Sequence, residues 1–248
     1  MNPRLGGASK TVVLALVAGS ARAWALPDLS TLSPPPAPAQ PYSAPVNILV
    51  LLTLLTLLPA LLLSMTPFVR LLVIFHFLRQ ALGTQNTPSN QTLIGLALVL
   101  TYFVMQPVGV EIQQQAIAPF RLGQLNALEA VERGSLPVRN FMLRYAREKD
   151  LALFVELAQQ PRPKSPSELP LRVVAPAYIL SELKAGFQIG AVLFLPFLVI
   201  DLAVAAVTTS IGMLQLPPVV ISTPLKLLLF VMVDGWNLLM GSILHSFM

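Results

Sequence analysis

The chain has 248 residues, of which 55% are hydrophobic and only 11% charged, and a net charge of +5; its mean hydropathy is +0.72. A soluble domain carries about 25% charged residues to solvate its surface, so most of this chain's surface meets lipid or other apolar protein. Cysteine is absent, which excludes disulfides, thiolate metal sites and cysteine nucleophiles, and the two histidines, His76 and His245, lie too far apart to suggest a metal site.

In chain order, Arg4 and Lys10 precede a short apolar run at 11–19, and small residues follow, ending Ala23-Trp24-Ala25. A basic start, an apolar middle and an A-x-A exit describe a secretory signal peptide over 1–25, cut between Ala25 and Leu26. The alternative is an uncleaved first anchor, although the run is far shorter than the roughly 20 residues a span needs. With Arg22, that segment holds three of the 16 basic residues. No basic patch with interleaved aromatics follows, so no nucleic-acid partner is indicated. Residues 26–46 hold prolines 27, 34, 35, 36, 38, 41 and 45. That density forbids a helix and predicts an extended linker on the far side of the membrane.

Four hydrophobic segments come next, at 47–64, 91–110, 187–207 and 219–244, each long enough to cross the hydrocarbon core. They divide the mature chain into N-terminal hydrophobic helices at 47–110, a middle helical segment at 111–186 and a C-terminal hairpin at 187–248. With the signal removed, the N-terminus lies outside and the short loop 65–90 inside. That loop carries Arg70 and Arg79 and no acid, in keeping with the positive-inside rule. The middle segment would then lie outside. Within it, Ser135 and Pro137 predict a helix start. The apolar residues Phe141, Met142, Tyr145, Leu151, Phe154 and Leu157 then recur at helical spacing. On that helix Arg144–Glu148 and Arg147–Asp150 stand at pairing distance. No segment alternates with period two, so the chain reads as an all-α membrane protein.

Five charges lie in or beside the apolar helices: Glu182, Lys184, Asp201, Lys226 and Asp234. An ionisable group at that depth costs roughly 3 kcal/mol by insertion scales. Structural ion pairing, a subunit interface or conduit, and a proton relay are the open readings. Glu182 and Lys184 stand about 200° apart around a helix and cannot satisfy each other, so each needs a partner on another helix or another chain. Lys226, Phe230 and Asp234 recur every four residues as one stripe. The turn marked by Gly212 and Pro217-Pro218 places Asp201 within a helical turn of Lys226 on an antiparallel return. No catalytic constellation, Gly-rich phosphate loop or metal-ligand cluster appears, so neither an enzyme nor a cofactor is expected.

Longer blocks carry a resemblance. Thr66-Pro-Phe-Val-Arg70 leads to Leu78-Arg-Gln-Ala-Leu-Gly-Thr-Gln85, then Pro88-Ser-Asn-Gln91 and Phe103-Val-Met-Gln-Pro107. Further blocks are Phe141-Met-Leu-Arg144, Arg147-Glu-Lys-Asp150, Ser181-Glu-Leu-Lys184, Pro196-Phe-Leu-Val-Ile-Asp201 and Val233-Asp-Gly-Trp236. Together they resemble the FliP family of flagellar export-gate proteins over about 47–247. The resemblance implies several copies assembling with FliQ and FliR into a helical core at the flagellar basal body. That core conducts unfolded flagellar subunits across the inner membrane, and FliO assists its assembly in many species. It also implies helical hairpins packed mostly on other subunits rather than on lipid. The family's methionine gasket after the hairpin glycine corresponds here to Met213, Leu214 and Gln215, where only Met213 retains the type. An injectisome export-gate homologue is the alternative; a small-solute carrier would need internal repeats, which the sequence lacks.

Overall fold

A computed structural model describes residues 44–84, 86–159, 165, 168–212 and 217–247. The expected signal peptide, residues 26–43 of the expected linker and the expected gasket residues 213–215 fall outside the described residues, while 44–46, expected as extended linker, are helical instead. The chain divides into two compact units, Met1–Thr53 and Leu54–Met248. Of the first, only 44–53 are described; they open helix α1 (Ala44–Ser64), whose uncharged, leucine-rich sequence presents Ile48, Leu49 and Leu51 to the surroundings.

At 65–67 the chain turns into α2 (Phe68–Ala81), bent by 72° from the helix before it. Thr66 shapes the turn by donating from Oγ1 to the Leu63 carbonyl, at 2.7 Å. Reading 65–90 as a loop is therefore corrected: most of it is the central core helix. Leu71, Ile74, Phe75 and Leu78, at helical spacing, are completely enclosed. Its 14 residues are too few to span a bilayer, and burial in protein selects the same aliphatic residues as lipid does.

Ser89 caps α3 (Asn90–Ile112), its Oγ accepting from the Thr92 N–H at 3.2 Å. The helix runs on through a π-helical turn at Gln113–Ile117 into α4 (Ala118–Arg121), 32 residues in all. Next is α5 (Ala127–Tyr145), started by a capping box: Asn126 Oδ1 accepts from Glu129 N, and Glu129 Oε2 accepts from Asn126 N. The expected start at Ser135 and Pro137 is thus corrected. Two backbone donors satisfied at Asn126 outweigh one interior proline, and Ser135 instead donates to the Glu132 carbonyl. The helix expected to continue from Phe141 to Leu157 is also broken. Ala146 and Arg147 are extended, and α6 (Glu148–Leu157) begins anew. Arg144 and Glu148 consequently sit on different helices.

The longest element is α7 (Leu171–Ser210), 40 residues with Pro170 as its N-cap. At 1.5 Å per residue it is about 60 Å long, twice the hydrocarbon core. Residues 187–207 are only its second half. After Gly212, which adopts φ +81° as few side-chain-bearing residues can, the chain returns through α8 (Pro218–Met232) and α9 (Gly235–His245). These two are bent by 66° from each other.

All described regular structure is helical. Two helices are long and apolar enough to cross a membrane, or four if each bent pair counts as one span. One core cluster surrounds α2 with Leu93, Phe197, Phe230 and Ile243 from α3, α7, α8 and α9. A second joins α3, α5, α6 and α7 through Val108, Met142, Val155 and Tyr178. Outside these clusters α3, α7 and α8 leave large aliphatic side chains uncovered, among them Val99, Val192, Val199, Leu202 and Val231. Such a surface is insoluble unless lipid or apolar protein covers it.

Helices α2 and α7 approach closely because α7 offers Gly186 and Gly190 at the contact, four residues apart and so on one face. A Cβ at Gly190 would stand 2.6 Å from Phe77 Cγ and 2.9 Å from Phe77 Cβ. The Phe77 ring is in turn packed edge-on to Phe187, with centroids 5.4 Å apart. Gly190→Val is therefore expected to push the two helices apart, costing about 1–3 kcal/mol as overpacking does. Thermal unfolding in detergent checks this, and an unchanged Tm would contradict it.

Candidate functional site

Three of the charges read from the sequence, Glu182, Lys184 and Asp201, stand on α7, and each finds its partner on another helix of the same chain. Glu182, fully enclosed, takes Arg70 of α2: Arg70 Nη2 donates to Glu182 Oε1 at 2.5 Å. The guanidinium also donates to Ser246 Oγ at 3.3 Å and lies over the Phe247 ring, 4.1 Å from its centroid. Tyr145 of α5 donates to the Phe247 carbonyl at 2.7 Å. The end of the chain thus covers the buried pair and ties α2, α5 and α7 to it.

Lys184, on the opposite side of α7, pairs with Asp150 of α6. Ser181 Oγ donates to the other carboxylate oxygen, Oδ2, at 2.8 Å, and accepts the Arg147 N–H at 2.9 Å. This explains the break between α5 and α6: the Arg147 amide exchanges its intrahelical partner for a side chain on α7. It also corrects the expected Arg147–Asp150 pair, since Arg147 donates to Gln188 Oε1 at 2.6 Å instead. Burial pushes the Asp150 carboxyl up. The hydrogen bonds from Lys184 and Ser181 and the positive charges of Lys184 and Arg147 outweigh burial and hold it below its ordinary 3.8. A depressed carboxylate contributes stability above its unfolded pKa and loses it as pH falls through the folded one. The Tm difference between wild type and Asp150→Asn should therefore be full at pH 6 and shrink steadily below the ordinary carboxylate value. A difference independent of pH would refute this account of Asp150.

Some 25 Å further along α7, by helical rise, Asp201 meets α8. Lys226 Nζ stands 2.6 Å from Asp201 Oδ2, and Ser222 Oγ donates to Oδ1 at 2.6 Å. The ammonium is buried while the carboxylate keeps 30% of its surface. Ser222 and Lys226, four residues apart on α8, form a two-pronged clamp on Asp201. Asp234 does not join it. Helix α8 ends at Met232, and Asp234 stands exposed in the left-handed region at φ +51°, its side chain capping nothing. The four-residue stripe is therefore corrected to Lys226 and Phe230: the backbone reverses its twist at Asp234 and turns the side chain away.

Sequence reasoning missed Arg70 and Asp150 as the partners of Glu182 and Lys184, and Ser181, Ser222 and Phe247 as their supports. The available signal was arithmetic: one cation in an aliphatic helix and one acid in an apolar cluster, matching two unsatisfied charges on α7. Among the described residues, no group of three His, Asp or Glu side chains stands close enough to hold a metal.

Bent apolar helix pairs, an overlong central helix and three ion pairs that bind its neighbours to it define an all-helical membrane protein made for packing rather than a soluble globule. The FliP family model matches residues 51–243. The chain is 52% identical to the flagellar biosynthetic protein FliP of Pectobacterium carotovorum over 90% of its own length and 87% of the relative's. It is 46% identical to that of Bacillus subtilis, over 83% and 93%. To the Buchnera aphidicola protein from Acyrthosiphon pisum it is 49% identical over 84% of its own length but only 55% of that longer relative. The chain belongs to the FliP family.

Proposed function

We propose that this chain is a core subunit of the flagellar protein export gate in the bacterial inner membrane. Family membership over residues 51–243 is the observation that carries the reading. The uncovered aliphatic faces of α3, α7 and α8 support it, being the surface that a packed, multi-subunit membrane assembly requires. In this role the chain works with further copies of itself and with FliQ- and FliR-type subunits, passing unfolded flagellar proteins without catalysing a reaction. A FliO-type factor assists assembly where one is present. The turn carrying Met213, Leu214 and Gln215 is the proposed constriction. Methionine there supplies a deformable thioether, and Leu214 and Gln215 a stiffer and a more polar wall. The mature N-terminus at Leu26 and the segment at 111–186 face the periplasm. Arg79 alone then carries the positive-inside argument, because Arg70 is buried against Glu182.

The test is deletion of the gene with plasmid complementation, assayed by secretion of hook and filament proteins. Loss on deletion, recovery with the intact gene, and co-purification with other gate subunits are expected. Normal secretion by the deletion strain would defeat the proposal. Mass spectrometry of the purified chain should find Leu26 first; a chain still beginning at Met1 would defeat the signal peptide.

A further inference from the structure

An apolar groove of about 560 Å³ opens between α2, α3 and α7, walled by Leu72, Val73, Phe77, Leu93, Ile94 and Phe187. That volume is in the range of small-molecule sites. Its wall stays apolar until one end, where His76, Gln80 and Asn90 line it. His76 and Gln80 also line an adjoining recess with Arg79, Gly83, Thr84 and Phe194. The two recesses therefore form one amphiphilic site, greasy along its length and basic at its end.

Among the described residues, Arg79 has hydrogen-bond partners but no carboxylate within ion-pair distance. Its Nη1 donates to Asn90 Oδ1 at 2.5 Å, and its Nη2 lies 3.2 Å from His76 Nδ1. Both partners orient the guanidinium without cancelling its charge. The three described carboxylates that pair with cations, Asp150, Glu182 and Asp201, are engaged by Lys184, Arg70 and Lys226. A positioned guanidinium lacking a counter-charge is a phosphate receptor, since its fork of N–H donors fits the phosphate oxygens.

We propose that this groove binds one anionic phospholipid, one of its two acyl chains along Phe77, Leu93, Ile94 and Phe187 and its headgroup phosphate on Arg79, with His76 and Gln80 beside it. The charge at the end selects the anionic headgroup, and the apolar wall selects a lipid over free phosphate. The inference rests on the chain lying in a bilayer and not on the export role.

Native mass spectrometry of the full-length protein in detergent tests it, with phosphatidylglycerol, phosphatidylethanolamine and inorganic phosphate as probes. Phosphatidylglycerol should bind about fivefold more tightly than phosphatidylethanolamine, the preference one basic residue near an anionic surface confers. Arg79→Gln should erase that preference, and Arg79→Lys should retain part of it. Ile94→Trp, at a partly exposed wall position, should weaken both lipids by filling the groove while leaving the fold intact. Equal binding of the two lipids by wild type, or undiminished preference in Arg79→Gln, overturns the proposal. Displacement of phosphatidylglycerol by millimolar phosphate overturns it as well, since the site would then read only an anion. The chain has no cysteine, so an Ile94→Cys variant reports cleanly on the occupant. Disulfide-linked pairs of that variant in native membranes would give the groove to a second copy and overturn the lipid. Lipid binding is measured apart from secretion, so failure here leaves the export role standing and failure of secretion leaves the lipid site standing.

Discussion

Glu182→Ala is expected to destabilise the folded chain by about 3–5 kcal/mol, because it strands the Arg70 guanidinium in a site closed to water. Arg70 is 7% exposed at its side chain and Glu182 not at all. Its remaining contacts, the Ser246 hydroxyl and the Phe247 ring, are neutral and cannot replace a carboxylate. On a chain of this size the loss corresponds to roughly 6–20 °C in Tm, measurable by thermal unfolding in detergent. The companion experiment separates charge from shape. Arg70→Met with Glu182→Leu removes both charges and keeps the volume, and should recover most of the stability, since apolar replacement of a buried pair is often neutral or better. A double variant as unstable as Glu182→Ala would mean that the loss came from packing and not from the stranded charge.

The Asp201–Lys226 pair gives the second large effect. Asp201→Ala leaves a buried ammonium without its carboxylate, and Ser222 loses its hydrogen-bond acceptor in the same change. The expected cost lies toward the lower end of about 3–5 kcal/mol, because Asp201 keeps some contact with its surroundings. The exchange Asp201→Lys with Lys226→Asp restores opposite charges at the same two backbone positions, and the Ser222 hydroxyl can accept from the new ammonium. It should recover most of the stability and, under the proposed function, the motility lost in either single variant. Failure of the exchange while both single variants fold normally would assign each charge to a neighbouring subunit. The two pairs stand far apart on α7, so their effects should add when combined.

Much of this arrangement was legible in the residues. The uncharged leucine-rich runs announced apolar helices, because a helix satisfies its own backbone hydrogen bonds wherever it sits. The Asp201–Lys226 pair followed from counting outward from the turn at Gly212 and Pro217-Pro218, since an antiparallel return fixes which residues face each other. The angle between Glu182 and Lys184 foretold that each would look to a different neighbour. These are local inferences, and local geometry decided them.

What misled were signals that local geometry leaves degenerate. Ser135 with Pro137 looks as much like a helix start as Asn126 with Glu129 does, and only the capping box formed at Asn126 decides between them. The apolar spacing from Phe141 to Leu157 runs unbroken across Ala146 and Arg147, yet the helix stops there because Ser181 captures the Arg147 amide. Asp234 keeps the four-residue spacing of Lys226 and Phe230 but stands at a left-handed break.

The sequence by itself determined that this is an all-helical, membrane-embedded chain with charges that require partners, because composition and helical period are properties of neighbouring residues. Its longer blocks pointed to the FliP family, which the match over residues 51–243 established. Only the tertiary structure decided that 68–81 is a core helix and not a loop, and which cation each acid meets. Arg70 and Glu182 lie 112 positions apart, and Asp150 and Lys184 lie 34 apart. Over such separations no backbone geometry links two side chains until packing brings their helices together, and at Gly186 and Gly190 the missing side chains let α2 and α7 come that close.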